Sequence, residues 1–120
     1  MQNEPTYKTL VAANKHSFEQ LYEICVESFP INERKSKILF SEMVSNPDYK
    51  VTIVNKDDAT IGFSIVFTPK DRSFCLLEYM AIHQKYRNLG LGKNLFLYTV
   101  NSYCKNTCCL LEIDSDNSAA

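Results

Sequence analysis

An excess of either charge is what this sequence most clearly lacks: 13 basic side chains stand against 14 acidic ones, a formal net charge of −1 over 120 residues. So even a balance excludes a global attraction to nucleic acid or anionic lipid, and any anion site must be local. No apolar run approaches the roughly 20 residues that span a bilayer. The start, MQNEPTYK, lacks the basic-then-apolar pattern of a signal peptide. A cytoplasmic location with no membrane partner is therefore expected. The five cysteines, Cys25, Cys75, Cys104, Cys108 and Cys109, are odd in number and contain no C-x-x-C pair, which speaks against a disulfide framework. Cys104, Cys108 and Cys109 have no nearby His and no second pair at zinc spacing, so small buried thiols are expected there and no metal. No repeat, low-complexity tract or Pro/Gly linker divides the chain, and its length suits one globular domain over residues 1–120.

What is present is concentrated between Leu76 and Val100, LLEYMAIHQKYRNLGLGKNLFLYTV. An apolar run from Leu76 to Ile82, with one carboxylate at Glu78, breaks into a polar turn and restarts as a helix after Gly90 and Gly92. A glycine-rich loop opening a helix is a generic anion site, because the first N–H groups of a helix have no internal partner and its dipole favours negative charge there. Lys85, Arg87 and Lys93 flank the place where a phosphate would sit. A Walker A loop would need Gly where Arg87 stands and Ser or Thr where Asn94 stands. A dinucleotide fingerprint would need Gly at Leu95 and a tighter spacing to the preceding strand. Neither pattern fits.

Along the chain, Tyr7–Val11 reads as a short strand. Ser17 with Gln20 forms a capping-box pattern, and Phe18, Leu21, Tyr22, Cys25 and Val26 follow at helical spacing to about Ser28. Pro30 stops that helix, residues 31–34 form a turn or short helix, and a second helix runs from about Ser36 to Val44 before Asn46-Pro47. Tyr49–Asn55, Thr60–Thr68 and Phe74–Ile82 read as strands of an antiparallel meander, joined by short polar connections. A helix from Leu91 to about Tyr103 and a strand from Cys108 to Asp114 complete the order β-α-α-β-β-β-α-β.

Arg87-x-x-Gly90-x-Gly92, behind Met80-Ala81-Ile82, resembles the acyl-CoA signature of the GNAT superfamily of N-acyltransferases. The resemblance implies an α/β, GNAT-like mixed, mostly antiparallel sheet with helices on both faces, in which the strand before the glycines and the strand after their helix lie parallel and adjacent. Asp114-Ser115-Asp116-Asn117-Ser118-Ala119-Ala120 resembles the entry to the family's next helix. The domain is expected to be truncated after the strand ending near Asp114, lacking the last helix and strands. A homo-oligomer covering the open sheet edge is the matching expectation.

The resemblance further implies acetyl-CoA as co-substrate. Its pantetheine arm would run along Met80, Ala81 and Ile82. Its pyrophosphate would rest on Arg87, Asn88, Leu89, Gly90, Leu91, Gly92 and Lys93, and Asn117 would contribute from the later helix. The implied reaction is transfer of an acetyl group to an amine of a small molecule or peptide by direct attack. Glu78, among Leu76, Leu77, Tyr79 and Met80, is the candidate base acting through a water, with a surface salt bridge as the equal alternative reading. The N–H of Ala81 or Ile82 would hold the oxyanion. The family's acidic Tyr has no counterpart here, and Tyr79, Tyr86 and Tyr98 are poorly placed to replace it. His83 reads as an exposed loop residue. Glu33 and Arg34 fall at a wall of the acceptor site or in a solvated turn. A non-catalytic or degenerate CoA-binding or assembly module is the alternative to an enzyme. Nucleic-acid binding has only Lys85, Arg87 and Lys93 behind it.

Overall fold

Strand pairing in the computed structural model runs β1-β2-β3-β4-β5 across one sheet. The structure describes residues 4–71, 73–105 and 108–111. β1 (Thr6–Thr9), β2 (Tyr49–Lys56), β3 (Ala59–Phe67) and β4 (Phe74–Ile82) are antiparallel neighbours, and β5 (Cys108–Leu111) joins β4 in parallel. This is the expected mixed sheet. The last three residues of the strand expected to reach Asp114 lie outside the described residues.

Among the described residues, three α-helices cover the two faces. α1 (Lys15–Ser28) and α2 (Lys37–Ser45) lie over one, burying Leu21, Ile24, Cys25, Phe40 and Met43 against Val51, Ile53, Phe63 and Ile65. α3 (Leu91–Tyr103) lies over the other, burying Leu95 against Val54, Ile61 and Ile82. Alternation along β2 sends Val51 and Ile53 one way and Thr52 and Val54 the other, which is why its burial is nearly continuous. A buried hydrogen bond of 2.8 Å between Ser64 and Thr99 ties α3 to β3. Tyr7 stacks on Tyr98 with centroids 4.5 Å apart, fixing β1 to the same helix.

The helix caps correct one expectation. α1 begins at Lys15, and its cap is Asn14, whose Oδ1 accepts the Ser17 N–H at 3.0 Å. Ser17 is buried inside the helix, and Gln20 instead reaches across to accept the Thr60 N–H at 3.0 Å. The cap position moved because Asn and Ser are equally good caps, and the exposed first turn at Lys15 and His16 adds nothing to the apolar period. α2 is capped by Ser36, whose Oγ accepts from the Leu39 N–H. Arg34 donates to the Phe29 carbonyl at 2.6 Å, satisfying the carboxyl end of α1.

A disulfide links Cys75 on β4 to Cys104 at the end of α3, with Cα atoms 5.9 Å apart. A small buried thiol was expected at Cys104, and this bridge departs from that expectation. The two residues are 29 apart in sequence, and only the packing of α3 on the sheet brings them together.

Candidate functional site

β4 carries a bulge that re-aims its middle. Val66 pairs with Leu77 and Ile65 with Tyr79, so Glu78 is the extra residue. Leu77 packs with the α3-side cluster and Tyr79 with the α1/α2-side cluster. Tyr79 makes edge contacts with Phe29 and Phe40. The Glu78 side chain is 11% exposed, with Lys35 Nζ 4.0 Å from its Oε1. Tyr49, at the start of β2, hydrogen-bonds to the Glu78 carboxylate. Burial, then the Glu78 charge and that hydrogen bond, raise the Tyr49 phenol above its ordinary range. The phenol therefore remains a donor across the neutral range. Glu78 is thus largely buried and ion-paired at once, rather than lying on the sheet surface. Lys35 and Tyr49 also line an open groove of ≈ 260 Å³ with Leu39, Glu42 and Met43.

Beyond the bulge, β4 runs close to Gly62 of β3. A Cβ there would lie 2.6 Å from Ile82 Cδ1 and 3.1 Å from the Ala81 carbonyl oxygen, so a larger residue would push the end of β4 outward. The His83 N–H donates to the Ile61 carbonyl at 2.7 Å. Backbone groups alternate along a strand, so the Ala81 N–H also faces β3, while those of Met80 and Ile82 face the β5 side. Of the two amides expected to hold an oxyanion, Ile82 is therefore the better placed.

The turn after β4 is a single 3-10 turn, Gln84–Tyr86, followed by two residues at positive φ: Asn88 at 68° and Gly90 at 78°. Asn tolerates this region and Gly is at home in it. Gly90 caps α3 without any side-chain hydrogen bond, and the Asn94 N–H is the first to close on it, at 3.2 Å from the Gly90 carbonyl. The amides of Leu91, Gly92 and Lys93 precede that closure, and no internal acceptor takes them among the described residues. A Cβ at Gly90 would meet nothing within 4 Å, and one at Gly92 only Ile82 Cγ1 at 4.0 Å. The protein's own side chains leave the helix mouth open.

Arg87 is engaged by the protein's own groups. Its Nε donates to the Ile82 carbonyl at 2.9 Å and its Nη2 to Ser28 Oγ at 3.0 Å, with Glu27 Oε1 at 3.9 Å. Glu27 also accepts the Gln84 N–H at 3.0 Å and stands 4.0 Å from His83 Nε2. The last turn of α1 is thus lashed to the glycine turn through Glu27 and Ser28. Neither residue carries a signal in the sequence, since both read as the polar face of a helix. Glu27 also lines a cleft of ≈ 250 Å³ with Glu23, Thr60, His83 and Tyr86.

Tyr79 donates to the Glu33 carbonyl at 3.3 Å, and Tyr98 is stacked on Tyr7, so neither faces the turn. Glu33 lies in a 3-10 turn at Ile31–Glu33, as the turn or short helix expected there. Asn117 lies outside the described residues.

A family model described as Acetyltransferase (GNAT) family matches residues 18–120. No curated protein matches the chain. Among solved structures, an aminoglycoside acetyltransferase from an uncultured soil metagenomic sample, in complex with sisomicin, is similar at TM-score 0.73 and 13% identity. The match covers 96% of this chain and 81% of that one. The ribosomal-protein-S18-alanine N-acetyltransferase from Escherichia coli is similar at TM-score 0.76 and 20% identity, over 97% of this chain and 71% of that one. A ribosomal-protein-alanine N-acetyltransferase from Brucella melitensis biovar Abortus matches at TM-score 0.72 and 14% identity, over 93% and 82%. At these identities the solved structures speak for the fold. No helix among the described residues is long and apolar enough to cross a membrane.

Proposed function

Because the chain belongs to the GNAT family of acetyltransferases, we propose that it transfers an acetyl group from acetyl-CoA to an amine of a small molecule or peptide by direct attack. The observation that carries this reading is the open mouth of α3, whose first amides stand beyond a left-handed Gly90 with no side-chain cap. Those amides and the absent Cβ of Gly92 fit a diphosphate, which needs several N–H donors and close approach to the backbone. Asn88 and Leu89 shape the loop and Lys93 adds charge at its rim. Arg87 acts by holding the loop to Ile82 and α1. Acetyl-CoA supplies the activated acyl group, and Met80, Ala81 and Ile82 lie alongside its arm.

Glu78 takes the amine proton, directly or through a water, as nitrogen attacks the thioester carbonyl. Tyr49 and Lys35 hold the carboxylate in place before the proton arrives. The Ile82 N–H donates to the oxyanion that develops on the carbonyl oxygen. As that intermediate collapses the carbon–sulfur bond breaks, the acetyl group stays on nitrogen, and CoA leaves as a thiolate that takes its proton from solvent. The groove beside Lys35 and Tyr49 offers the acceptor a route to Glu78. Amines of both kinds occur among structural neighbours, a sisomicin-bound aminoglycoside acetyltransferase and ribosomal-protein-alanine N-acetyltransferases.

The test is release of free CoA thiol from acetyl-CoA, with and without a panel of aminoglycosides, polyamines and N-terminal peptides. Amine-dependent release supports the reading. Calorimetric CoA binding without turnover on any amine would leave a coenzyme-binding module instead.

A further inference from the structure

Away from the helix mouth, at the opposite end of α3, three sulfur atoms converge. Cys75 from β4, Cys104 from the end of α3 and Cys109 from β5 have Sγ atoms all within 4.8 Å of one another. Cys75 and Cys109 are direct cross-strand partners in the parallel β4–β5 register. Cys75 and Cys104 are nearly inaccessible, at 1% and 4% exposure, whereas Cys109 is half-buried and opens one side of the cluster. Val66, Leu77, Phe96 and Val100 pack around them, and no carboxylate or imidazole joins the set among the described residues.

We propose that, once the Cys75–Cys104 disulfide is reduced, these three thiols form a binding site for one thiophilic metal ion of the Zn²⁺, Cd²⁺ or Cu⁺ class. An all-sulfur donor set selects soft ions over Mg²⁺ or Ca²⁺. Zinc–thiolate bonds of about 2.3 Å place tetrahedral sulfur ligands roughly 3.8 Å apart. A spacing within 4.8 Å, from three elements already held by the sheet and α3, needs only side-chain adjustment to reach that geometry. The half-buried side at Cys109 gives the ion a way in and leaves room for a fourth ligand from solvent. Disulfide and metal are mutually exclusive occupants, because the bond between Cys75 and Cys104 consumes two of the three ligands. The sequence spacing of Cys104, Cys108 and Cys109 hides this site, because the partner that completes it is Cys75.

The experiment uses the whole chain, reduced anaerobically with a phosphine and then freed of reductant, and titrated with Cd²⁺ alone. Thiolate-to-metal charge-transfer absorption and native mass spectrometry are the readouts. Reduced protein is expected to bind one Cd²⁺ per chain, and the disulfide form none. Cys109→Ser, checked for folding by circular dichroism, is expected to lose on the order of tenfold or more in affinity. Cys25→Ser should bind like the parent, since Cys25 lies in the α1/α2-side core. No binding by reduced protein, equal binding by the disulfide form, or undiminished affinity in folded Cys109→Ser would each overturn the site.

Discussion

Arg87 and Ile82 are joined across the turn, with the guanidinium Nε 2.9 Å from the carbonyl oxygen that ends β4. The signature arginine is thereby a brace for the turn. A planar fork that reaches Ile82 and Ser28 together cannot be copied by an ammonium group. Arg87→Lys is therefore expected to weaken CoA binding nearly as much as Arg87→Ala, measured by calorimetry. The side chain is 45% exposed, so the stability cost of either change is expected to be about 1 kcal/mol. Full rescue by Lys would mean the charge acts on phosphate directly.

The two glycines of the turn should separate by phenotype. Gly90→Ala places a Cβ at φ 78°, costing about 1–2 kcal/mol in urea unfolding. At Gly92 an added Cβ meets only Ile82 Cγ1, at 4.0 Å, so Gly92→Val starts from open space. Its stability is expected to stay within about 1 kcal/mol of the parent while CoA binding is lost. Retained CoA affinity in Gly92→Val would remove the diphosphate from the α3 mouth.

Glu78→Gln keeps the shape of the side chain and removes the base. The expected result is a drop in kcat on the order of 10²–10⁴, with CoA affinity unchanged. Tyr49→Phe deletes one donor to the carboxylate. It should lower kcat by less than Glu78→Gln does, with CoA affinity unchanged, because the base loses one of the groups that position it. An unchanged kcat would leave Tyr49 as packing alone.

Burial pushes the Cys25 thiol up to about 11, with Arg34 opposing the shift weakly. The folded state therefore holds this proton more tightly than the unfolded chain does. The stability it confers is complete below the ordinary thiol range and is lost as pH rises from about 9 to about 11. Chemical unfolding across that window is expected to show a decline of about 2–3 kcal/mol from this group. Cys25→Ala should show a correspondingly shallower fall.

How far the sequence could be read depended on the range of the interaction. β4 was legible to its ends, and so was α3, because period-two and helical patterns are local and Gly90 punctuates them. The α1 cap slipped from Ser17 to Asn14 because two good caps stood three residues apart. The bulge at Glu78 left no mark, since an extra residue inside an apolar strand keeps the same composition. The protein partners of Arg87 could not be read, because a long side chain's direction is set here by Glu27 and Ser28, which lie far from it in sequence. The Cys75–Cys104–Cys109 cluster was invisible for the same reason, being assembled by the return of α3 to the sheet.

The extra residue in β4 lets one strand serve two masters. Leu77 before it belongs to the layer under α3, and Tyr79 just after it belongs to the layer under α1 and α2. Deleting that single position would mend the ladder and at the same time remove the carboxylate that Lys35 and Tyr49 hold. The irregularity is thus where this scaffold exchanges a flawless sheet for a carboxylate at its centre.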